Sequence, residues 1–138
     1  MSGNGVFPLI LHVVGVVFWA GGLFAISLML AVAAKDTEAS AKVGAVAKRA
    51  AIAVDAAAAL AIVGGIALFG SRSWDIRQPW MHMKLTFVLG LLAVHGIVRM
   101  RAGRAARGGK GPGIAAPIAV AVLAVIIVGL VLAKPFAL

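Results

Sequence analysis

Four apolar runs, at residues 7–34, 50–70, 80–98 and 114–133, constrain this chain more than any other feature. Each meets or approaches the ~20 residues that a helix needs to cross the hydrocarbon core of a bilayer. A soluble domain has nowhere to bury four such runs in a chain of 138 residues, of which 63% are hydrophobic and 12% charged. The expected fold is an all-α membrane protein, one four-helix transmembrane bundle over residues 1–138. The first run is longer than a perpendicular crossing requires, which predicts tilt or an extension past the bilayer. The opening MSGNG has no basic residue and is followed by an apolar run too long for a secretory leader, so it reads as a first span.

The net charge of +9 raises the question of nucleic acid. The basic residues, however, lie between apolar runs rather than on one polar domain, which points to lipid headgroups and topology, with no nucleic-acid partner. Nine of the thirteen Lys and Arg fall in or beside the first and third connections: Lys35, Lys42, Lys48, Arg49, Arg99, Arg101, Arg104, Arg107 and Lys110. That bias places those connections in the cytoplasm and both termini outside a bacterial plasma membrane. Trp74 and Trp80 then fit an outer interfacial belt. The third connection, RMRAGRAARGGKGPG, reads as a flexible Gly/Arg linker. On the second span Ala53, Ala57, Ala61 and Gly65 form a four-residue repeat of small side chains, suited to close helix packing and available for a homo-oligomeric contact.

The chain has no cysteine, so disulfides, thiolate metal sites and Cys-linked haem are excluded. Any metal or cofactor must be held by His, Lys, Met, carboxylate or backbone. Titratable groups inside a span are costly and need a partner or a function. Pro8 and Pro79 mark the first turns of spans one and three, and His12 and His82 follow them by four and three residues. The two histidines therefore lie at nearly equal depth, where they could grip a metal or supply both axial ligands of a haem. From His12, the positions Gly15, Trp19, Leu23 and Ile26 form one helix face. Gly15 and the pair Gly21–Gly22 leave a notch there, open to a flat macrocycle or to another helix.

On the third span His82 and His95 are ~220° apart around the helix, whereas Lys84 and His95 return to within ~20° of each other. One face carries His82 and the other carries Lys84 and His95. Asp55 is the one carboxylate inside a span, and it enters from the same side of the membrane as His95. A hydrogen-bonded Asp55–His95 pair is expected, with contact to Lys48 or Arg49, or exposure to a water crevice, as the competing arrangements.

LHVVGVVFWAGGLF (11–24), WMHMKLTFVLGLLAVHG (80–96) and LAKPF (132–136) together resemble the first span, third span and C-terminus of the HemJ-type protoporphyrinogen IX oxidases. These are small bacterial membrane proteins that bind haem b and oxidise the last porphyrinogen of haem synthesis. The motifs cover 36 of the 138 residues, in the family's order. The resemblance implies a haem b site containing His12, with His82 and Lys84 functional, and it adds weight to Trp19, His95 and Gly96. The chain departs from the family pattern after span one, where AISLMLAVAAKDTEAS replaces an Arg/Tyr/His-containing stretch, and in span two, where AIAVDAAAAL replaces a proline region.

A partial similarity to CopD-type copper membrane domains rests on the early histidine followed by Trp-x-Gly-Gly, and on a later Lys-Leu. Met81, His82 and Met83 would offer ligands suited to Cu(I), although neighbours on a helix point apart. The combined expectation is haem b held by His12 and His82, with Trp19, Gly15 and Gly22 lining it and Lys84 neutralising a propionate or substrate carboxylate. Lys84, Asp55 and His95 would move protons, and electrons would pass from a porphyrinogen to a quinone or protein acceptor. A copper carrier and a haem-containing or bare structural subunit are the alternatives.

Overall fold

A computed structural model of the chain describes residues 5–72 and 76–133. Among these residues it forms four helices and no strand: α1 (Val6–Ala33), α2 (Thr37–Arg72), α3 (Pro79–Ala106) and α4 (Ala115–Ala133). All four are long and apolar enough to cross a membrane, so this is a multi-pass, all-helical membrane protein. Exposed positions such as Phe18, Val32, Ile66, Val125 and Leu132 are as apolar as the buried ones. That is expected of helices whose outer face meets lipid rather than water.

Sequential helices pack as antiparallel neighbours, and α4 closes the ring against α1. The diagonal pair α1 and α3 touch sparsely, and α2 and α4 do not touch among the described residues. The core runs along the centre through Trp19, Leu23, Ile26 and Leu30 of α1, Val54 and Ala58 of α2, Leu91 and Val98 of α3, and Val120 and Ile127 of α4.

The seam between α1 and α2 is built from small residues. A Cβ added to Gly15 would run into the backbone of Ala61, and one on Gly22 would come within 2.9 Å of Val54 Cγ2. The notch of span one therefore seats another helix. The expected stripe on span two is used inside the chain: Ala57 and Ala61 are buried in this seam, and Ala53 faces outward. A second close crossing sets Gly44 of α2 against the backbone of Ala105 and Ala106 on α3.

The helices extend further than the apolar runs. At ~1.5 Å per residue, the 36 residues of α2 reach roughly 54 Å against the ~30 Å of a hydrocarbon core. The first connection is thus a short turn rather than a loop, and Asp36 ends it by capping α2. Its Oδ1 accepts hydrogen bonds from the backbone N–H of Glu38 (3.0 Å) and Ala39 (3.4 Å). The third connection is likewise shorter than expected, because α3 continues through the arginines to Ala106. There Gly108 takes φ +83°, and the N–H groups of Gly108 and Gly109 donate to the carbonyls of Ala105 and Arg104, a Schellman stop. Both extensions are basic and project from the same end of the bundle.

Pro79 opens α3 as expected, and Pro8 lies in the first turn of α1. Trp80 is not a belt residue: it is 4% exposed, and its indole N–H donates to Gln78 Oε1 at 2.6 Å. Trp74 and the KPF of the C-terminal motif lie outside the described residues.

Candidate functional site

Polar side chains meet inside the bundle at two levels. The level nearer the basic end joins three helices. Trp19 of α1 is buried, and its Nε1–H donates to Nδ1 of His95 on α3 at 2.8 Å. The other ring nitrogen, Nε2, lies 2.7 Å from Oδ1 of Asp55 on α2. The second carboxylate oxygen takes Nη2 of Arg99 at 2.7 Å, and Arg99 Nη1 donates to the backbone carbonyl of Lys48 at 3.3 Å.

Elementary donor counting fixes the tautomer. An indole N–H can only donate, so His95 Nδ1 must be the accepting nitrogen, and the proton sits on Nε2, donated to Asp55. His95 is therefore neutral in this arrangement, and the ionic partner of Asp55 is Arg99. The expected Asp55–His95 bond is present. In the place offered to Lys48 or Arg49 stands Arg99, one turn beyond His95 on the same helix. The i,i+4 spacing of His95 and Arg99 was the available signal for that partner. Trp19 contributes an indole N–H to the chain, a role its place on an apolar face did not reveal. Its ring also lies beside that of His95, with centroids 6.2 Å apart at 52°.

The second level is toward the opposite end of the helices. His12 of α1 is half-buried against α2, and its Nδ1 is 2.7 Å from the carbonyl oxygen of Ala61. A carbonyl only accepts, so Nδ1 carries the proton and Nε2 keeps its lone pair. Two glycines make room for this ring. A Cβ on Gly64 would stand 2.7 Å from the His12 backbone nitrogen, and one on Gly65 would stand 3.1 Å from the ring Nδ1. Lys84 of α3 is half-buried and close enough to His12 to act on it electrostatically.

His82 does not share this level's interior. It is exposed on α3, on the far side of the helix from Lys84. The half-buried Lys84, rather than the expected partner His82, is the titratable side chain of α3 turned away from the exposed face at this end. Met81 is buried while His82 and Met83 are exposed, so these three side chains do not converge on one ion. Among the described residues, His, Asp and Glu form no cluster of three that could hold a metal. Gly15 and Gly22, expected beside a macrocycle, face α2.

Comparison with protein families, with characterised proteins and with solved structures finds no match for this chain. What the chain is must therefore be argued from these two levels.

Proposed function

We propose that this chain is an integral membrane redox protein that holds haem b through Nε2 of His12. One observation carries the reading: the Nδ1–H bond to the Ala61 carbonyl. A histidine that ligates a metal almost always donates its other ring N–H to a carboxylate or backbone carbonyl, which fixes the tautomer and makes the free nitrogen more basic. His12 has that arrangement, and Nε2 has no hydrogen-bond partner among the described residues. Lys84 adds a cation beside it, suited to a haem propionate or substrate carboxylate. The bound haem would supply reversible one-electron chemistry within the bilayer.

The resemblance to HemJ-type oxidases adds a substrate, protoporphyrinogen IX, with electrons leaving to a quinone or a protein acceptor. Oxidising a porphyrinogen releases protons as well as electrons, so a proton-accepting group is required. Lys84 stands at the site, and the His95–Asp55 pair lies deeper, toward the basic end. The charge bias of the helix extensions supports a topology with that end in the cytoplasm and the His12 level in the outer half of the membrane. Single cysteines at Ile76 and Lys110 in this Cys-free chain should label from the periplasmic and cytoplasmic sides respectively, and reversed labelling overturns that topology.

The deciding measurement is the absorption spectrum of the purified protein. A Soret band with a b-type pyridine haemochrome is expected, and His12→Ala should abolish or strongly alter it while helical content in detergent is unchanged. An unaltered spectrum in folded His12→Ala removes His12 as a ligand. Spectra of His82→Ala then test His82 as a second ligand: a change would return His82 to the site, and no change leaves it outside. Bound copper without haem would favour the copper carrier, and neither would leave a structural subunit. Rescue of haem synthesis in a strain lacking its own protoporphyrinogen oxidase tests the substrate separately.

A further inference from the structure

The bond between Trp19 and His95 has a property that the other polar contacts lack: it exists only while His95 is neutral. Trp19 Nε1–H donates to Nδ1 at 2.8 Å while Nε2–H is given to Asp55. If Nδ1 takes a proton, two donors face each other and the Trp19 bond is lost. The Nε2–H···Asp55 contact meanwhile becomes a charged pair, which is stronger. Protonation therefore trades a link from α3 to α1 for a tighter link from α3 to α2.

That trade matters because α1 and α3 are the diagonal pair and touch sparsely. The Trp19–His95 bond is the one side-chain hydrogen bond between them among the described residues. The groups facing His95 also suit a proton-binding role. Asp55 comes from α2, with Lys48 and Arg49 farther toward the basic end, and Arg99 comes from α3 itself. The sole ionisable side chain of α1 is His12, about 10 Å along the helix from Trp19. Lys84 is about 16 Å from His95 along α3, and α4 has no ionisable side chain. Asp55 is thus the single anion in contact, and its neighbour Arg99 opens toward the basic end, from which a proton would come.

We propose that His95 is a proton-binding switch: taking one proton at Nδ1 releases the Trp19 indole and unties α1 from α3. The inference stands on the polar chain alone and does not require the haem reading, so cofactor-free protein is the sample to use.

The test is the indole N–H resonance of Trp19 in ¹⁵N-tryptophan-labelled, cofactor-free protein in micelles, assigned by its loss in Trp19→Phe. Acidification should move that resonance from a hydrogen-bonded to a free position in a one-proton transition. In His95→Gln the amide oxygen can accept from Trp19 and the amide N–H₂ can donate to Asp55, so the resonance should stay bonded throughout. In Asp55→Asn the anion that balances the charged ring is gone, and the transition should be displaced. A pH-independent Trp19 resonance in the folded natural protein overturns the proposal. So does a natural-type transition in His95→Gln. If that variant does not fold, an undisplaced midpoint in Asp55→Asn has the same force.

Discussion

The two polar levels inside this bundle differ in how much bonding capacity they leave over. At the level near the basic end, Trp19, both nitrogens of His95, both oxygens of Asp55 and Nη2 of Arg99 bond in one chain, and Nη1 of Arg99 goes to the Lys48 carbonyl. At the other, one nitrogen of His12 is bonded to Ala61, while its second nitrogen and the Lys84 ammonium have no hydrogen-bond or ion-pair partner among the described residues. Both sets sit where polar groups are costly. A closed set holds helices together; an open one holds something else. The difference separates residues that look alike in sequence, since His12 and His95 are both histidines within apolar helices.

The comparison can be broken at several points. The largest effect is expected where both levels share one support, the α1–α2 seam. Gly15→Ala would press a methyl into the Ala61 backbone, which cannot step aside, and should cost ~3 kcal/mol or more in detergent unfolding experiments. Both the haem spectrum and the Trp19 resonance should be lost with it. Next comes Asp55→Ala, which strands Arg99 and the His95 N–H. Because the carboxylate and Arg99 are each more than a third exposed, the expected loss is discounted to roughly 2 kcal/mol. The haem signal per folded molecule should be retained, and its loss would show that the two levels are one site.

Lys84→Met should behave in the opposite sense. It keeps a long apolar stem, so stability should hold within ~1 kcal/mol, while haem retention falls and any rescue of haem synthesis is abolished. A marked drop in stability with normal haem binding would reassign Lys84 to structure. The smallest effect is Gly21→Ala, where a new methyl meets no atom within 4 Å. Its unfolding should stay within ~0.5 kcal/mol of the natural protein, in contrast to Gly15→Ala six residues earlier.

Much of this was legible in the sequence because the controlling quantities are local. Run lengths gave the four helices, and the ~20° return from Lys84 to His95 set both on one face of α3 with His82 opposite, without saying which face turns inward. The spacing from His12 to Ile26 gave the buried face of α1. What was not legible depends on how helices turn toward one another. Equal depth made His12 and His82 look paired, but depth says nothing of rotation, and α3 is rotated so that His82 is exposed and Lys84 half-buried. Helix ends were also missed. Polar residues such as those of KDTEAS read as loop, yet Asp36 caps α2 and the arginines of α3 remain helical up to the Gly108 stop. Trp19 could be placed on its face by periodicity, but the direction of its N–H depends on a side chain 76 positions away.

The narrow seam between α1 and α2 also has a consequence in time. The two helices are joined by a short turn and meet through glycine and alanine backbones, so nothing beyond residue 72 is needed to form that hairpin. Synthesis from the N-terminus can complete it before α3 exists. During that interval Asp55 is without His95 and Arg99, the two partners that the third helix brings to it. The arrival of α3 therefore does more than add a span. It brings the cation that allows a hairpin already assembled to settle at its final depth.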